Sequence, residues 1–182
     1  MKGLPEKIVA IHESLTEAAL PHAFGGALAL AWCTGRARAT IDIDINVFTN
    51  GEHAQKVFAA LPDDLKHAKK DVTVLRKEGQ VRLWWDKTPV DVFLNTTEFH
   101  EEAAHRTRWE TFMQRRIPFL SCRDLAVFKA FFNRTKDWAD LEEMQAAGTL
   151  PITEVRAELT RYLGTDDERL DHLAALAATF AE

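Results

Sequence analysis

The chain has 182 residues, 46% of them apolar and 28% charged, with a formal net charge of −5. This is the length of one domain and the composition of a folded protein, which excludes a disordered chain or a collagen. No apolar run approaches the ~20 residues that cross a bilayer. Cys33 and Cys122 form neither a CxxC pair nor a disulfide framework, as expected in a reducing cytoplasm. The first twenty residues carry Glu6, Lys7, His12, Glu13 and Glu17, so no signal peptide is expected there.

In chain order, apolar residues at Ile8, Ile11, Leu15 and Ala19 predict an amphipathic helix over 4–20, ended by Pro21. A short strand over 22–24, the pair Gly25-Gly26 and a helix ALALAWC follow, with Gly35 as the breaker. Residues 40–48, TIDIDINVF, alternate as a strand: Ile41, Ile43, Ile45 and Val47 on one face, Asp42, Asp44 and Asn46 on the other. A helix over 52–61 closes at Pro62. Three strands are predicted at VTVL (72–75), VRLWW (81–85) and VDVFL (90–94), with Gly79 in a turn between the first two. A helix over 99–106 and an extended piece at 116–120 come next. Ser121 is a plausible N-cap for a helix over 122–132. Further helices are expected over 136–147, 152–163 and 167–180, with stops at Gly148 and Gly164. The pattern predicts an α/β (α+β) fold. A mixed sheet flanked by helices occupies residues 1–120, and a C-terminal helical subdomain occupies 121–182.

Charge is uneven along the chain. Residues 103–136 carry eight Lys or Arg against Glu110 and Asp124, while 137–182 carry three Arg against eleven acids. The basic middle suits a phosphate-bearing ligand, and the acidic total argues against sequence-blind nucleic-acid binding.

The chemistry is concentrated in two places. Asp42 and Asp44, two apart on a strand, send both carboxylates from one face, roughly 6.5–7 Å apart at Cα. Such a pair repels unless a cation lies between, and Mg²⁺ takes one or two carboxylates together with phosphate oxygens. Asp91, flanked by Val90, Val92 and Phe93 on a later strand, would complete a three-acid cup. Gly25-Gly26, between strand and helix, permits close backbone approach to a ligand, and the amides opening the following helix suit phosphate. No GxxxxGK[ST] or GxGxxG occurs. The seven histidines show no metal spacing. Ser121 and Cys122 have no nearby base pattern. Trp84, Trp85, Trp109 and Trp138 read as core or rim packing.

The string GGALALAWCTGRARATIDIDINVF resembles the signature of the DNA polymerase β-like nucleotidyltransferase superfamily: a glycine turn, a helix and an acid-x-acid strand. Arg38 and Thr40 before Asp42-Ile43-Asp44 make it look like the AbiEii branch of abortive-infection and toxin–antitoxin enzymes. In DLAVFKAFFNRTKDWADLEEM, the residues Lys129, Arg134, Lys136-Asp137 and Asp140 resemble that branch's helical motif. The likeness spans residues 22–145. It implies an Mg²⁺-dependent nucleotidyltransferase moving NMP from an NTP to a hydroxyl on RNA, protein or a small molecule. By that likeness Asp42, Asp44 and Asp91 would hold two Mg²⁺ ions, and Asp91 would accept the hydroxyl proton. Gly25 and Gly26 would approach the triphosphate and Lys129 would neutralise charge on it. Arg38, Thr40, Arg134 and Asp137 would join in nucleotide binding, with Asp137 and Asp140 orienting Lys129 or lining the base pocket. A toxin role with a cognate antitoxin is a further implication. The alternative is a non-catalytic nucleotide- or partner-binding module on the same fold.

Overall fold

The computed structural model describes residues 2–37 and 39–179. These form a mixed α/β structure that divides into two compact units. One comprises Met1–Leu28 with Ala39–Leu120, and the other Ala29–Arg38 with Ser121–Glu182.

The first unit is built on one six-stranded sheet. Its strands are β1 (His22–Phe24), β2 (Ile43–Val47), β3 (Gln80–Trp85), β4 (Thr88–Leu94), β5 (Arg108–Phe112) and β6 (Arg115–Phe119), in spatial order β3-β4-β2-β1-β6-β5. The pairs β2–β4 and β1–β6 are parallel; β1–β2, β3–β4 and β5–β6 are antiparallel. Alternation along the central strands sorts the side chains. Ile43, Ile45 and Val47 of β2 and Val90, Val92 and Leu94 of β4 are fully buried on one face. The other face carries Asp44 and Asn46 of β2, Asp91 and Phe93 of β4, and Arg82 and Trp84 of β3. The helices α1 (Leu4–Glu17), α3 (Ala54–Ala60), α4 (Lys69–Glu78) and α5 (Glu98–Ala104) add Ile8, Ile11, Leu15, Val57, Phe58, Leu75 and Phe99 to this unit's core.

Helix α2 (Gly26–Thr34) starts in the first unit and ends in the second. There it joins α6 (Cys122–Phe132), α7 (Thr135–Ala146), α8 (Ile152–Leu163) and α9 (Glu168–Thr179). Ser121 caps α6 as its sequence indicated, its hydroxyl accepting from the Asp124 N–H at 3.1 Å. The buried Asp124 carboxylate in turn accepts from the same hydroxyl at 2.6 Å.

Several expectations are corrected by the tertiary context. The first helix ends at Glu17, before Pro21, because Ala19 takes a left-handed conformation (φ 52°) and the Leu20 N–H returns to Leu15 O. The acidic strand starts at Ile43 rather than residue 40. Pairing with β4 begins at Ile43↔Val90, and Ile41 is 71% exposed instead of joining the core face. VTVL is helical, not extended. Val72 and Leu75 are buried three apart on α4 while Val74 faces outward. Asp71 Oδ2 accepts from the Ala68 N–H at 2.7 Å to cap the start, and Gly79 (φ 69°) ends the helix instead of turning between strands. Strand β5 has no counterpart in the sequence reading. Its hairpin to β6 turns on Met113 and Gln114, both with positive φ, where a Gly or Asn would have announced the turn. Finally, Cys33 and Cys122 are 89 positions apart in sequence yet 5.6 Å apart at Cα, and they form a disulfide linking α2 to α6.

Candidate active site

In the parallel pair β2–β4, Asp44 stands directly beside Asp91, and in the antiparallel pair β3–β4, Arg82 stands beside Asp91. Three adjacent strands thus present acid, acid and base in one row, each about 4.8 Å from the next. Two carboxylates at that spacing repel by roughly 3 kcal/mol at an effective dielectric near 20. Arg82 offsets this with a fork: Nε donates to Asp91 Oδ1 at 2.8 Å and Nη2 to Oδ2 at 2.6 Å. The hydrogen bonds that Arg82 donates to Asp91, with the negative charges of Asp91, Asp42 and Asp44 adding to them, hold the proton on this guanidinium more tightly than usual. Arg82 is thus the cation that this chain itself sets against Asp91, in the row that Asp44 shares.

Asp42 lies just before β2. Thr40 shapes that approach: its hydroxyl accepts from the Asp42 N–H at 3.2 Å and lies 3.4 Å from the Asp42 carbonyl oxygen, to which it donates.

Gly25 and Gly26 close over Asp44. The Gly25 N–H donates to the Asp44 carbonyl at 2.9 Å. Gly26 has φ 52°, and a Cβ there would overlap the Asp44 carboxylate, coming within 2.7 Å of its Cγ. A Cβ on Gly25 would press on Asn46 and Leu120 at 3.2 Å each. Gly26 is therefore favoured both by close approach to β2 and by its conformation, whereas a methyl on Gly25 would need Asn46 and Leu120 to give by a few tenths of an ångström. The turn opens α2, so the first amides of that helix lie beside Asp44.

The helical unit gathers the other residues singled out by sequence. Lys129 of α6 donates from Nζ to Asp140 Oδ2 at 2.5 Å and stands 3.8 Å from Asp137 Oδ1, both acids being on α7. All three are buried. Arg134 forks onto Asp137 at 2.6 and 3.1 Å, with its guanidinium 4.8 Å from the Phe132 ring. Asp137 and Asp140 thus both face Lys129. Arg38 lies outside the described residues.

Among the described residues, no three His, Cys, Asp or Glu side chains are gathered in a metal-holding cluster. The donor set nonetheless suits a hard divalent cation, since carboxylate oxygens are what Mg²⁺ takes and a cationic side chain already occupies their shared field. Of the tryptophans, Trp85 is buried, Trp84 and Trp109 are exposed, and Trp138 donates to Asn133 Oδ1 at 2.7 Å.

Sequence reading missed Arg82. A signal was present. VRLWW and TPVDVFL are separated by Asp86-Lys87 alone, and a two-residue hairpin turn there places Arg82 opposite Asp91.

No protein-family model matches the chain, and no curated protein does. Solved structures do match. The antibiotic-resistance factor ANT(2″)-Ia, in complex with adenylyl-2″-tobramycin, aligns with a TM-score of 0.56 at 15% identity over 97% of this chain and 98% of its own. A nucleotidyltransferase-like protein from Paracoccidioides brasiliensis aligns at 0.55 and 13% identity, over 94% of this chain and 92% of its own. The lincosamide antibiotic adenylyltransferase LnuA, bound to lincomycin, aligns at 0.54 and 15% identity, over 78% and 96% respectively. The fold is therefore that of nucleotidyltransferases. No helix among the described residues is long and apolar enough to cross a membrane.

Proposed function

We propose that the protein is a nucleotidyltransferase that moves NMP from an NTP to an acceptor hydroxyl with Mg²⁺. The observation that carries this reading is the register match of Asp44 with Asp91 beneath a glycine turn in which Gly26 packs directly on the Asp44 carboxylate. The fold shared with adenylyltransferases supports it.

Asp42, Asp44 and Asp91 would hold Mg²⁺, which when bound supplies positive charge to the triphosphate and lowers the pKa of the acceptor hydroxyl. The chain's own groups do the rest. The amides at the start of α2 donate to phosphate oxygens, with Gly25 and Gly26 leaving room for them. Asp91 takes the proton of the acceptor hydroxyl. That oxygen attacks the α-phosphorus, the bond to the bridging oxygen breaks, and pyrophosphate leaves. Lys129, oriented by Asp137 and Asp140, is assigned to neutralise charge on the nucleotide, with Arg134 and Arg38 as further contacts and Thr40 holding the approach to Asp42. The acceptor is a hydroxyl on RNA, protein or a small molecule. The antibiotics bound in two of the similar structures put small molecules first in the test.

Label from α-³²P-NTPs should move to an acceptor with Mg²⁺ present. Asp44→Asn should lower that transfer by ~10²–10³-fold or more, the scale of losing one principal electrostatic group at a transition state. Nucleotide binding with no transfer to any acceptor would instead identify a binding module.

A further inference from the structure

We propose that Arg82 and a divalent cation are alternative occupants of the Asp91 carboxylate, so that the cation enters only as the guanidinium leaves. The inference rests on the metal-dependent reading above and concerns how that site is kept before it is loaded. Both oxygens of Asp91 are engaged by the Arg82 fork, at 2.8 and 2.6 Å. A cation ~2.0–2.1 Å from either oxygen would meet a fixed positive charge within a few ångströms. Arg82 is free to withdraw. Its side chain is 53% exposed on a sheet-edge strand, whereas the side chain of Asp91 is only 17% exposed on the adjacent inner strand. The partner that can move is the base, and the acid stays. Exposed ion pairs contribute little to folding, so the fork's main consequence lies in the charge of this face. It sets a positive charge in the same row as Asp44 and Asp91.

The experiment is a Mn²⁺ titration of the full chain without nucleotide, read by the electron paramagnetic resonance of free Mn²⁺. Wild type, Arg82→Gln, Arg82→Lys and Asp44→Asn are compared, each checked for thermal unfolding. Arg82→Gln should bind Mn²⁺ about tenfold more tightly or better, by the one-to-three-decade influence of a unit charge within ~4–6 Å of a carboxylate. Arg82→Lys, charged but without the fork, should fall between. Equal or weaker binding in a folded Arg82→Gln overturns the proposal. Should that variant not fold, Arg82→Lys decides by the same comparison. If Asp44→Asn loses Mn²⁺ and the Arg82 variants gain nothing, the metal site stands and the exchange falls. If wild type and Asp44→Asn both ignore Mn²⁺, the metal-dependent reading and the exchange fall together.

Discussion

Two places in this chain arrange carboxylates around a cation, and water separates their behaviour. On the sheet, Asp44 and Asp91 face Arg82, whose side chain is half exposed. In the helical unit, Asp137 and Asp140 face Lys129, and all three are buried. The first arrangement can exchange one cation for another because solvent stabilises the departing guanidinium. The second cannot, because an ammonium leaving a buried pair strands charge in a low dielectric. Similar chemistry therefore serves as a replaceable occupant in one unit and a fixed brace in the other.

That contrast can be broken in graded steps. The largest effect belongs to catalysis, where Asp44→Asn should lower label transfer by ~10²–10³-fold or more while leaving urea denaturation nearly unchanged. Next comes the buried brace. Lys129→Met should cost ~3–5 kcal/mol in urea unfolding, because two acids lose their ammonium, whereas Arg82→Gln should cost under ~1 kcal/mol. Equal costs would erase the distinction.

A third step uses acid. His22 Nδ1–H donates to Leu20 O at 2.8 Å, and its Nε2 lies 2.9 Å from His12 Nδ1. Burial is the main cause that pushes His22 down to about 4 and also lowers His12. Because the folded value lies below the unfolded ~6.5, the unfolded chain binds the proton first. Stability should be full above pH 6.5 and fall as pH drops toward 4, by on the order of 3 kcal/mol for His22. His22→Gln should flatten that slope in thermal melts across pH 4–7. A further step is Gly26→Ala. Left-handed alanine costs ~1–2 kcal/mol, and its methyl must displace the Asp44 carboxylate. The variant should fold with a modestly lower Tm and bind Mn²⁺ more weakly than wild type.

Much of the arrangement was legible along the chain because its signals are local. Alternation in IDINV and VDVFL, the Gly25-Gly26 punctuation and the cap at Ser121 each act within a few residues, and β2, β4, α2 and α6 form accordingly. The candidate acids were readable for the same reason, residue type and short spacing, whereas Lys129 with Asp137 and Asp140 was named only by the resemblance. VTVL misled because three β-branched residues and a leucine fit a strand locally, whereas the cap at Asp71 and the burial of Val72 and Leu75 favour a helix.

What the sequence by itself determined is the set of chemical groups and the local elements that carry them. Tertiary structure alone decided which groups share a row. The register of β2 against β4 and of β4 against β3 brings Asp44, Asp91 and Arg82 abreast from positions as far as 47 apart in sequence. Pairing of Cys33 with Cys122 is of the same kind. Such adjacency follows from which strands and helices bury their apolar faces together, and no short-range pattern encodes that choice.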